Sequence, residues 1–272
     1  MSVGEDSGRR EAGSALIQVQ DVDMEFFAGA GSVLALDRVS LDVRDGEFFS
    51  LLGPSGCGKS TLLLLLGGIL RPTGGSIRCE GRELVGTYVD SALVFQQDNL
   101  LEWRSVLDNV LLPVEIKRLD RAKYRARALE LLSLVGLGGF ERHFPHQLSG
   151  GMRQRAAICR ALVYDARVLL MDEPFGALDA LTREEHQVLL QEIWLRERKT
   201  VVFVTHDIRE AVLLSDRVAI MTARPGQIRD IVPIELPRPR LPELTESAEF
   251  NRLVGRLRRT LEPGRALAEA AP

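Results

Sequence analysis

The most constraining feature of this chain is a strand, a glycine-rich turn and a helix in immediate succession between Glu47 and Leu70. The run from Glu47 to Leu52 is typical of a buried strand, and the helix opens at Thr61. Between them, residues 53–60 read Gly-Pro-Ser-Gly-Cys-Gly-Lys-Ser and match G-x-x-x-x-G-K-[ST] at every fixed position. Such a turn lets consecutive backbone N–H groups face phosphate oxygens at the start of a helix. The segment therefore predicts a phosphate-binding loop.

Two side chains of this loop carry its chemistry. Lys59 is expected to reach the β- and γ-phosphates of a nucleoside triphosphate, and the Ser60 hydroxyl is expected to bind Mg²⁺. The alternative is a glycine-rich turn that happens to carry a lysine. A chance match in a chain of this length is on the order of one in a hundred, and the flanking strand and helix reduce that further. The predicted nucleotide contacts are Gly53, Pro54, Ser55, Gly56, Cys57, Gly58, Lys59, Ser60 and Thr61.

Composition argues against several classes of protein. Of the 272 residues 45% are hydrophobic, and a formal net charge of -3 with both signs interspersed leaves no basic stripe for nucleic acid. The most apolar run, Leu62–Leu66, is far shorter than the roughly 20 residues that cross a bilayer. Cys57, Cys79 and Cys159 lack metal or disulfide spacing and are expected to be small buried residues. The polar segment Met1–Ser14 is expected to be a disordered leader rather than a signal peptide, which predicts a cytoplasmic chain.

The N-terminal part is predicted to form a small antiparallel sheet. Alternating apolar residues from Leu16 to Phe26, and a second run from Ala35 to Arg44, indicate two half-buried strands. Asp45-Gly46 is interpreted as a hairpin turn into the strand before the phosphate loop, and residues 76–84 as a further hairpin. Phe26 ends the first strand, where its ring either stacks on a purine base or packs in the core.

From about residue 97 the composition changes to Leu, Ala, Arg and Glu, which predicts a helical insertion over residues 97–165. We expect a short helix that Pro113 stops and a longer one from Arg121 to Val135. A second glycine-rich element, residues 148–151, leads into a helix from Met152 to Tyr164. It has the physics of another anion site at a helix N-terminus, although by itself it would be interpreted as a serine N-cap with a flexible turn.

Two later strands end in polar residues that suit a phosphate site. Residues 168–173 are an apolar run that closes in two carboxylates, with Asp172 placed to hold Mg²⁺ and Glu173 to polarise the attacking water. Solvated acids at a strand end are a weaker interpretation, because the first loop requires a metal partner. The strand from Thr200 to Thr205 ends in His206, which would point into the ligand crevice at the carboxyl ends of parallel strands unless it is a structural histidine.

Taken together, these motifs resemble the ATP-binding subunit of ABC transporters over residues 15 to 232. The resemblance implies an α/β fold with a P-loop NTPase (RecA-like) core, an antiparallel β subdomain and an inserted helical subdomain. It implies ATP and Mg²⁺ as cofactors and ATP hydrolysis coupled to transmembrane transport. The implied catalytic residues are Glu173, His206, Lys59 and Gln96, and the implied magnesium ligands are Ser60, Gln96 and Asp172. The other implied contacts are the signature Ser149, Gly150 and Gly151, the D-loop Ala177-Leu178-Asp179, and the base-stacking Phe26 with Phe27 as its alternative.

Residues 100–103, 148–155 and 236–240 look similar to the nitrate/sulfonate/taurine importer group, although Glu102 stands where that group is expected to have proline. By this resemblance the partners are a second copy in a head-to-tail homodimer, a transmembrane permease and, indirectly, a periplasmic or extracellular solute-binding protein. The chain would lie peripherally on the cytoplasmic face of the inner membrane. The alternatives are an exporter subunit or a soluble non-transport ABC ATPase. A DNA-repair or chromosome ATPase would need a long heptad coiled coil between Lys59 and Ser149, and a GTPase would need N-K-x-D.

The expected organisation is a leader at 1–14, an ATP-binding core with its β subdomain at 15–96 and 166–232, a helical subdomain at 97–165, and a Pro-rich segment with an amphipathic helix at 233–272. This last stretch is too short for a separate regulatory β-domain. Its apolar residues recur at helical spacing and are expected to pack on the core. They are Phe250, Leu253, Val254, Leu257 and Leu261.

Overall fold

The computed structural model describes residues 15–28, 31–176 and 178–261. The predicted leader at 1–14 and the end of the C-terminal segment, 262–272, lie outside the described residues. The strands are β1 (Ala15–Ala28), β2 (Gly31–Arg44), β3 (Phe48–Leu52), β4 (Gly74–Cys79), β5 (Arg82–Glu83), β6 (Ser91–Val94), β7 (Val168–Asp172), β8 (Thr200–Thr205), β9 (Arg217–Met221) and β10 (Ile228–Pro233). The helices are α1 (Lys59–Leu66), α2 (Val106–Val110), α3 (Leu112–Ile116), α4 (Arg121–Leu134), α5 (Gly150–Leu162), α6 (Ala180–Glu197), α7 (Ile208–Leu214) and α8 (Ala248–Leu261).

A six-stranded sheet in the order β10-β9-β3-β8-β7-β6 forms the centre of the protein. Its strands β9, β3, β8, β7 and β6 are mutually parallel, and β10 is antiparallel to β9. In register, Leu52 of β3 lies opposite Thr205 of β8, and Asp172 of β7 lies opposite Val204. The residues that follow these three strands therefore meet at one edge, where a ligand crevice forms in such sheets.

Apolar layers cover both faces of this sheet. Successive side chains of β3 alternate faces, so Phe48 and Leu52 enter the layer shared with the helices of the 97–165 segment. Phe49 and Leu51 enter the opposite layer, together with the leucines of α1 and the inner face of the N-terminal strands. All five residues of β3 are buried, which explains its near-continuous apolar sequence.

The predicted antiparallel sheet is present in the order β2-β1-β4-β5, with β4 and β5 joined as the predicted hairpin. The prediction for Asp45-Gly46 is wrong, because the strands on either side of this turn belong to different sheets. β2 pairs with β1, whereas β3 pairs in parallel with β8 and β9. A turn dipeptide determines only the local reversal of the chain. Strand β3 is buried on both faces, and the antiparallel sheet cannot cover both of them.

The segment from α2 to α5 differs from the prediction at Pro113. This residue does not stop a helix: α2 ends at Val110 and Pro113 lies in the first turn of α3. Proline is accepted there because the first N–H groups of a helix have no intrahelical partner. Helix α4 begins at its Asp120 cap and is followed by Gly136 with a left-handed φ of 72°, as its sequence pattern predicts.

Candidate active site

The phosphate-loop sequence connects the buried strand β3 to the N-terminus of α1. Gly58 caps this helix with a φ of 98°, a conformation that L side chains rarely adopt. A Cβ at Gly58 would lie 2.7 Å from Leu36 Cδ2 and 3.0 Å from the Ala35 carbonyl oxygen, so only glycine fits here. The loop thus packs directly against β2 and presents the first turn of α1 to the cleft.

Lys59 lies inside this loop and is 5% exposed. Its Nζ donates hydrogen bonds to the carbonyl oxygens of Gly53 at 2.8 Å and Pro54 at 3.0 Å. The same atom is 3.9 Å from Glu173 Oε1. The ammonium group is therefore held between the loop backbone and the carboxylate that follows β7.

Ser60 and Asp172 form a pair of adjacent oxygens at the start of α1 and the end of β7. The Ser60 hydroxyl donates to Asp172 Oδ1 at 3.0 Å. Burial raises the pKa of Asp172, with the Ser60 hydrogen bond acting in the opposite direction. A serine hydroxyl beside one carboxylate fits the partial shell that proteins offer Mg²⁺ at nucleotide sites, where phosphates and water supply the remaining oxygens.

Glu173 occupies a strained position immediately after β7. Its φ of 43° is unusual for a residue with a side chain and costs on the order of 1–3 kcal/mol. The Glu173 N–H donates to the Val204 carbonyl oxygen at 3.0 Å, and Glu173 Oε2 lies 2.9 Å from His206 Nδ1. The turn therefore holds the carboxylate between a lysine and a histidine that come from two other strand ends.

These residues border a cleft of about 650 Å³. Phe26 and Val33, which face each other across β1 and β2, line one part of the cleft. Phe27 is 77% exposed and lies outside the cleft, because neighbouring residues of a strand point to opposite faces. Gln96 borders this cleft and also a second one of about 540 Å³ next to α5. The geometry thus favours Phe26 over Phe27 as the aromatic residue at the site.

The second glycine-rich turn lies apart from the Lys59 cleft. Ser149 is the N-cap of α5 and accepts a hydrogen bond from the Met152 N–H at 3.2 Å, while Gly150 lines the second cleft. Asp179 caps α6 by accepting from the Thr182 N–H at 3.0 Å. Within one chain the structure brings together Phe26, residues 53–61, Gln96, Asp172, Glu173 and His206, but not Ser149, Gly150, Gly151 or Asp179.

The family model described as ABC transporter matches residues 36–176, a range that holds both glycine-rich elements and the two carboxylates. The chain belongs to the ABC transporter ATP-binding family. This ABC ATPase is 45% identical to an uncharacterized ABC transporter ATP-binding protein of Methanocaldococcus jannaschii, over 90% of this chain and 92% of that protein. It is 49% identical to the taurine import ATP-binding protein of Rhizobium johnstonii, over 78% of this chain and 82% of that protein. It is 43% identical to the aliphatic sulfonates import ATP-binding protein of Bacillus licheniformis, over 79% of this chain and 83% of that protein.

Among solved structures, the ABC ATPase is similar to a dimeric post-hydrolysis state of an ATP-binding cassette bound to ADP and Pi. The TM-score is 0.72 at 34% identity, covering 81% of this chain and 99% of that one. The predicted P-loop NTPase class is confirmed, and the chain is an ABC-type ATPase. Within the described residues, every helix is too short or too polar to span a bilayer.

Sequence reasoning missed three residues of the ABC ATPase cleft: Val33, Ala35 and Arg224. None belongs to a recognisable motif, since they reach the cleft only because β2 and the segment after β9 pack around the phosphate loop. One signal was available for Arg224. It follows the apolar run of β9, and segments that follow parallel strands lie at the ligand edge of the sheet.

Proposed function

We propose that this ABC ATPase powers the uptake of a small solute of the nitrate, sulfonate or taurine type through a separate membrane permease. The observation that carries the proposal is the convergence in one cleft of Lys59, the Ser60–Asp172 pair and the Glu173–His206 pair. The import subunits among its relatives supply the solute class.

In this proposal Glu173 acts as the general base that orients and polarises the attacking water. Its carboxylate is already anchored to His206 at 2.9 Å, so a proton taken from water can be shared along this hydrogen bond. Lys59 stabilises the negative charge that develops on the transferred phosphoryl group. Phe26 offers its ring to the base at the other end of the cleft.

Ser60, Asp172 and Gln96 would hold Mg²⁺ in this site. A divalent cation held by these residues would supply positive charge to offset the negative charge of the phosphates. The hydroxyl and carboxylate oxygens, 3.0 Å apart, suit a hard cation, and the side-chain oxygen of Gln96 borders the same cleft. Gln96 also borders the second cleft, so we infer that it transmits the state of the site to the surface around the exposed Trp103 and to the permease.

The separation of the two glycine-rich turns supports a head-to-tail homodimer. We infer that Ser149, Gly150, Gly151 and Asp179 of one chain complete the site of the other, giving two equivalent sites by two-fold symmetry. The domain division at residues 97–165, a peripheral position at the inner membrane and an indirect link to a solute-binding protein belong to the same proposal. No nucleic acid takes part in it.

The shared site is tested with Glu173→Gln protein in ATP and Mg²⁺, analysed by size-exclusion chromatography with light scattering. We expect a dimer, and adding Ser149→Arg should return it to a monomer that still binds nucleotide. A double mutant that dimerises on ATP would show that the Ser149 turn is not part of a shared site.

The solute class is tested by growth of a deletion strain on nitrate as sole nitrogen source, and on taurine or an alkanesulfonate as sole sulfur source. We expect loss of growth on one of these that the wild-type gene restores and the Glu173→Gln gene does not. Unchanged growth on all of them would refute the proposed solute class while leaving the ATPase activity to be measured separately.

A further inference from the structure

Arg224 contacts the phosphate loop from a part of the chain that no nucleotide motif includes. It lies in the segment after β9, and its Nε donates to the Gly56 carbonyl oxygen at 2.9 Å. A Cβ built on Gly56 would be 3.3 Å from Arg224 Nη2, so the guanidinium lies against the open face of this glycine. Gly56 has a left-handed φ of 74°. The arginine therefore braces the loop at a residue whose backbone conformation is unusual.

The segment that carries Arg224 is itself rigidly held. The Thr222 hydroxyl donates to the Pro225 carbonyl oxygen at 3.1 Å and accepts from the Gln227 N–H at 3.0 Å. The Gly226 N–H donates to the Ala35 carbonyl oxygen at 2.9 Å, which ties the segment to β2. Because its own hydrogen bonds define its shape, the segment presents the arginine at a set position.

The same segment packs against the phosphate loop through its backbone. A Cβ on Gly226 would lie 2.1 Å from the Cys57 carbonyl oxygen, so no side chain fits between the two strands of chain. Two consecutive carbonyl groups of the loop, those of Gly56 and Cys57, thus face residues 224–226. A peptide group whose carbonyl is held on one side directs the N–H of the next residue to the other side.

The charge of Arg224 is left for an anion. Arg224 lines the cleft and is exposed, and among residues 15–28, 31–176 and 178–261 no carboxylate forms an ion pair with it. The two acids of the cleft already have partners, Asp172 with Ser60 and Glu173 with His206. A guanidinium with free N–H groups beside a phosphate loop suits the oxygens of a nucleotide.

We propose that Arg224 is a positioning residue of the nucleotide site, which holds the Gly56 carbonyl so that the following N–H groups face the phosphates and which adds a second cation beside Lys59. The inference rests on the proposed nucleotide site. It concerns affinity and not the chemical step, because Arg224 contacts neither Glu173 nor His206. Removing it should therefore raise KM and leave kcat nearly unchanged.

The test compares Arg224→Met, Arg224→Gln and Arg224→Lys in the full chain by ATP titration and steady-state hydrolysis. We expect Arg224→Met to raise the Kd and KM for ATP about tenfold, equivalent to about 1.4 kcal/mol, with kcat within about twofold of wild type. Lysine keeps the charge and a donor and should recover affinity to within about threefold, whereas uncharged glutamine should recover less. Raising NaCl from about 50 to about 300 mM should weaken ATP binding to wild type more than to Arg224→Met. Salt screens the charge of Arg224 in the wild type, and the variant lacks that charge.

Arg252→Met on the exposed face of α8 is the matched control and should bind ATP as wild type does. Wild-type affinity in Arg224→Met, together with loss of binding in Lys59→Ala, would overturn the role of Arg224 while leaving the nucleotide site intact. Unaffected binding in Lys59→Ala would instead overturn the nucleotide site. If Arg224→Met does not fold, equal affinities of the Lys and Gln variants would refute the contribution of charge.

Discussion

Arg240 is a buried cation whose removal gives a stability prediction with a magnitude. It is 1% exposed, and its Nη1 donates to the carbonyl oxygens of Val212 at 2.8 Å and Ser215 at 2.7 Å. Nη2 donates to those of Ile234 and Leu236, both at 3.1 Å. In the part of the chain that the structure describes, no carboxylate forms an ion pair with Arg240. Burial lowers its pKa to about 10, so the group is still charged at neutral pH and is stabilised by carbonyl dipoles near the C-terminus of α7.

Arg240→Met removes these four hydrogen bonds, together with a longer one to the Leu213 carbonyl oxygen at 3.4 Å, and leaves the carbonyl groups buried. At about 1–1.5 kcal/mol each, the loss is about 4–6 kcal/mol. Methionine also avoids the cost of burying a charge, which offsets part of that loss. We therefore expect the free energy of unfolding to fall by about 3 kcal/mol and Tm to fall by roughly 6–12 °C. The stability of Arg240→Lys should lie between those of the wild type and Arg240→Met. One ammonium group cannot reach both the carbonyl groups at the end of α7 and those of Ile234 and Leu236.

The assay is urea-induced unfolding followed by circular dichroism, with thermal unfolding as a second measurement. Arg252→Met provides the control for replacing an arginine on the protein surface. If Arg240→Met loses no more stability than this control, the hydrogen bonds from Arg240 to the backbone carbonyl groups do not anchor residues 234–240 to α7.

Three further predictions concern the site and the C-terminal segment. Glu173→Gln should leave ATP affinity nearly intact and lower turnover by about 10²–10⁴-fold, the usual contribution of a general base; hydrolysis at the wild-type rate in a single-turnover assay would exclude this role. Because burial raises the pKa of Asp172 in the folded state, the folded protein favours the protonated carboxyl. The contribution of this group to the free energy of unfolding is therefore present at low pH and is lost as the pH rises through the folded-state pKa. Asp172→Asn should therefore gain Tm relative to wild type as the pH rises above the ordinary aspartate pKa of about 4, while losing Mg²⁺-dependent turnover. A Tm difference that does not change with pH would contradict this. Truncation after Glu235 removes Arg240 and α8 and should lower Tm by more than Arg240→Met alone, with ATP binding kept; complete loss of binding in a folded truncation would be the contrary result.

Local sequence was sufficient for the phosphate loop and for most strands. The glycines, Lys59 and Ser60 act within one strand–turn–helix unit, so their spacing along the chain is also their arrangement in space. Asp45-Gly46 and Pro113 show the limit of such patterns. Each marks a local feature correctly, a reversal or a helix boundary, but the partner of the next strand and the start of the next helix depend on which apolar faces remain to be covered.

Contacts between distant parts of the chain were decided by the tertiary structure alone. Glu173 meets His206 because β7 and β8 are adjacent parallel strands, and Phe26 rather than Phe27 borders the cleft because of the register of β1 against β2. Arg224 reaches Gly56 because β9 lies next to β3. The sequence by itself determined the family and predicted the phosphate chemistry and residues to carry it, since these depend on residue types at short spacing. The contacts that surround the site depend on the order of the strands in the sheet and on the apolar layers that determine that order. No short stretch of sequence encodes these contacts.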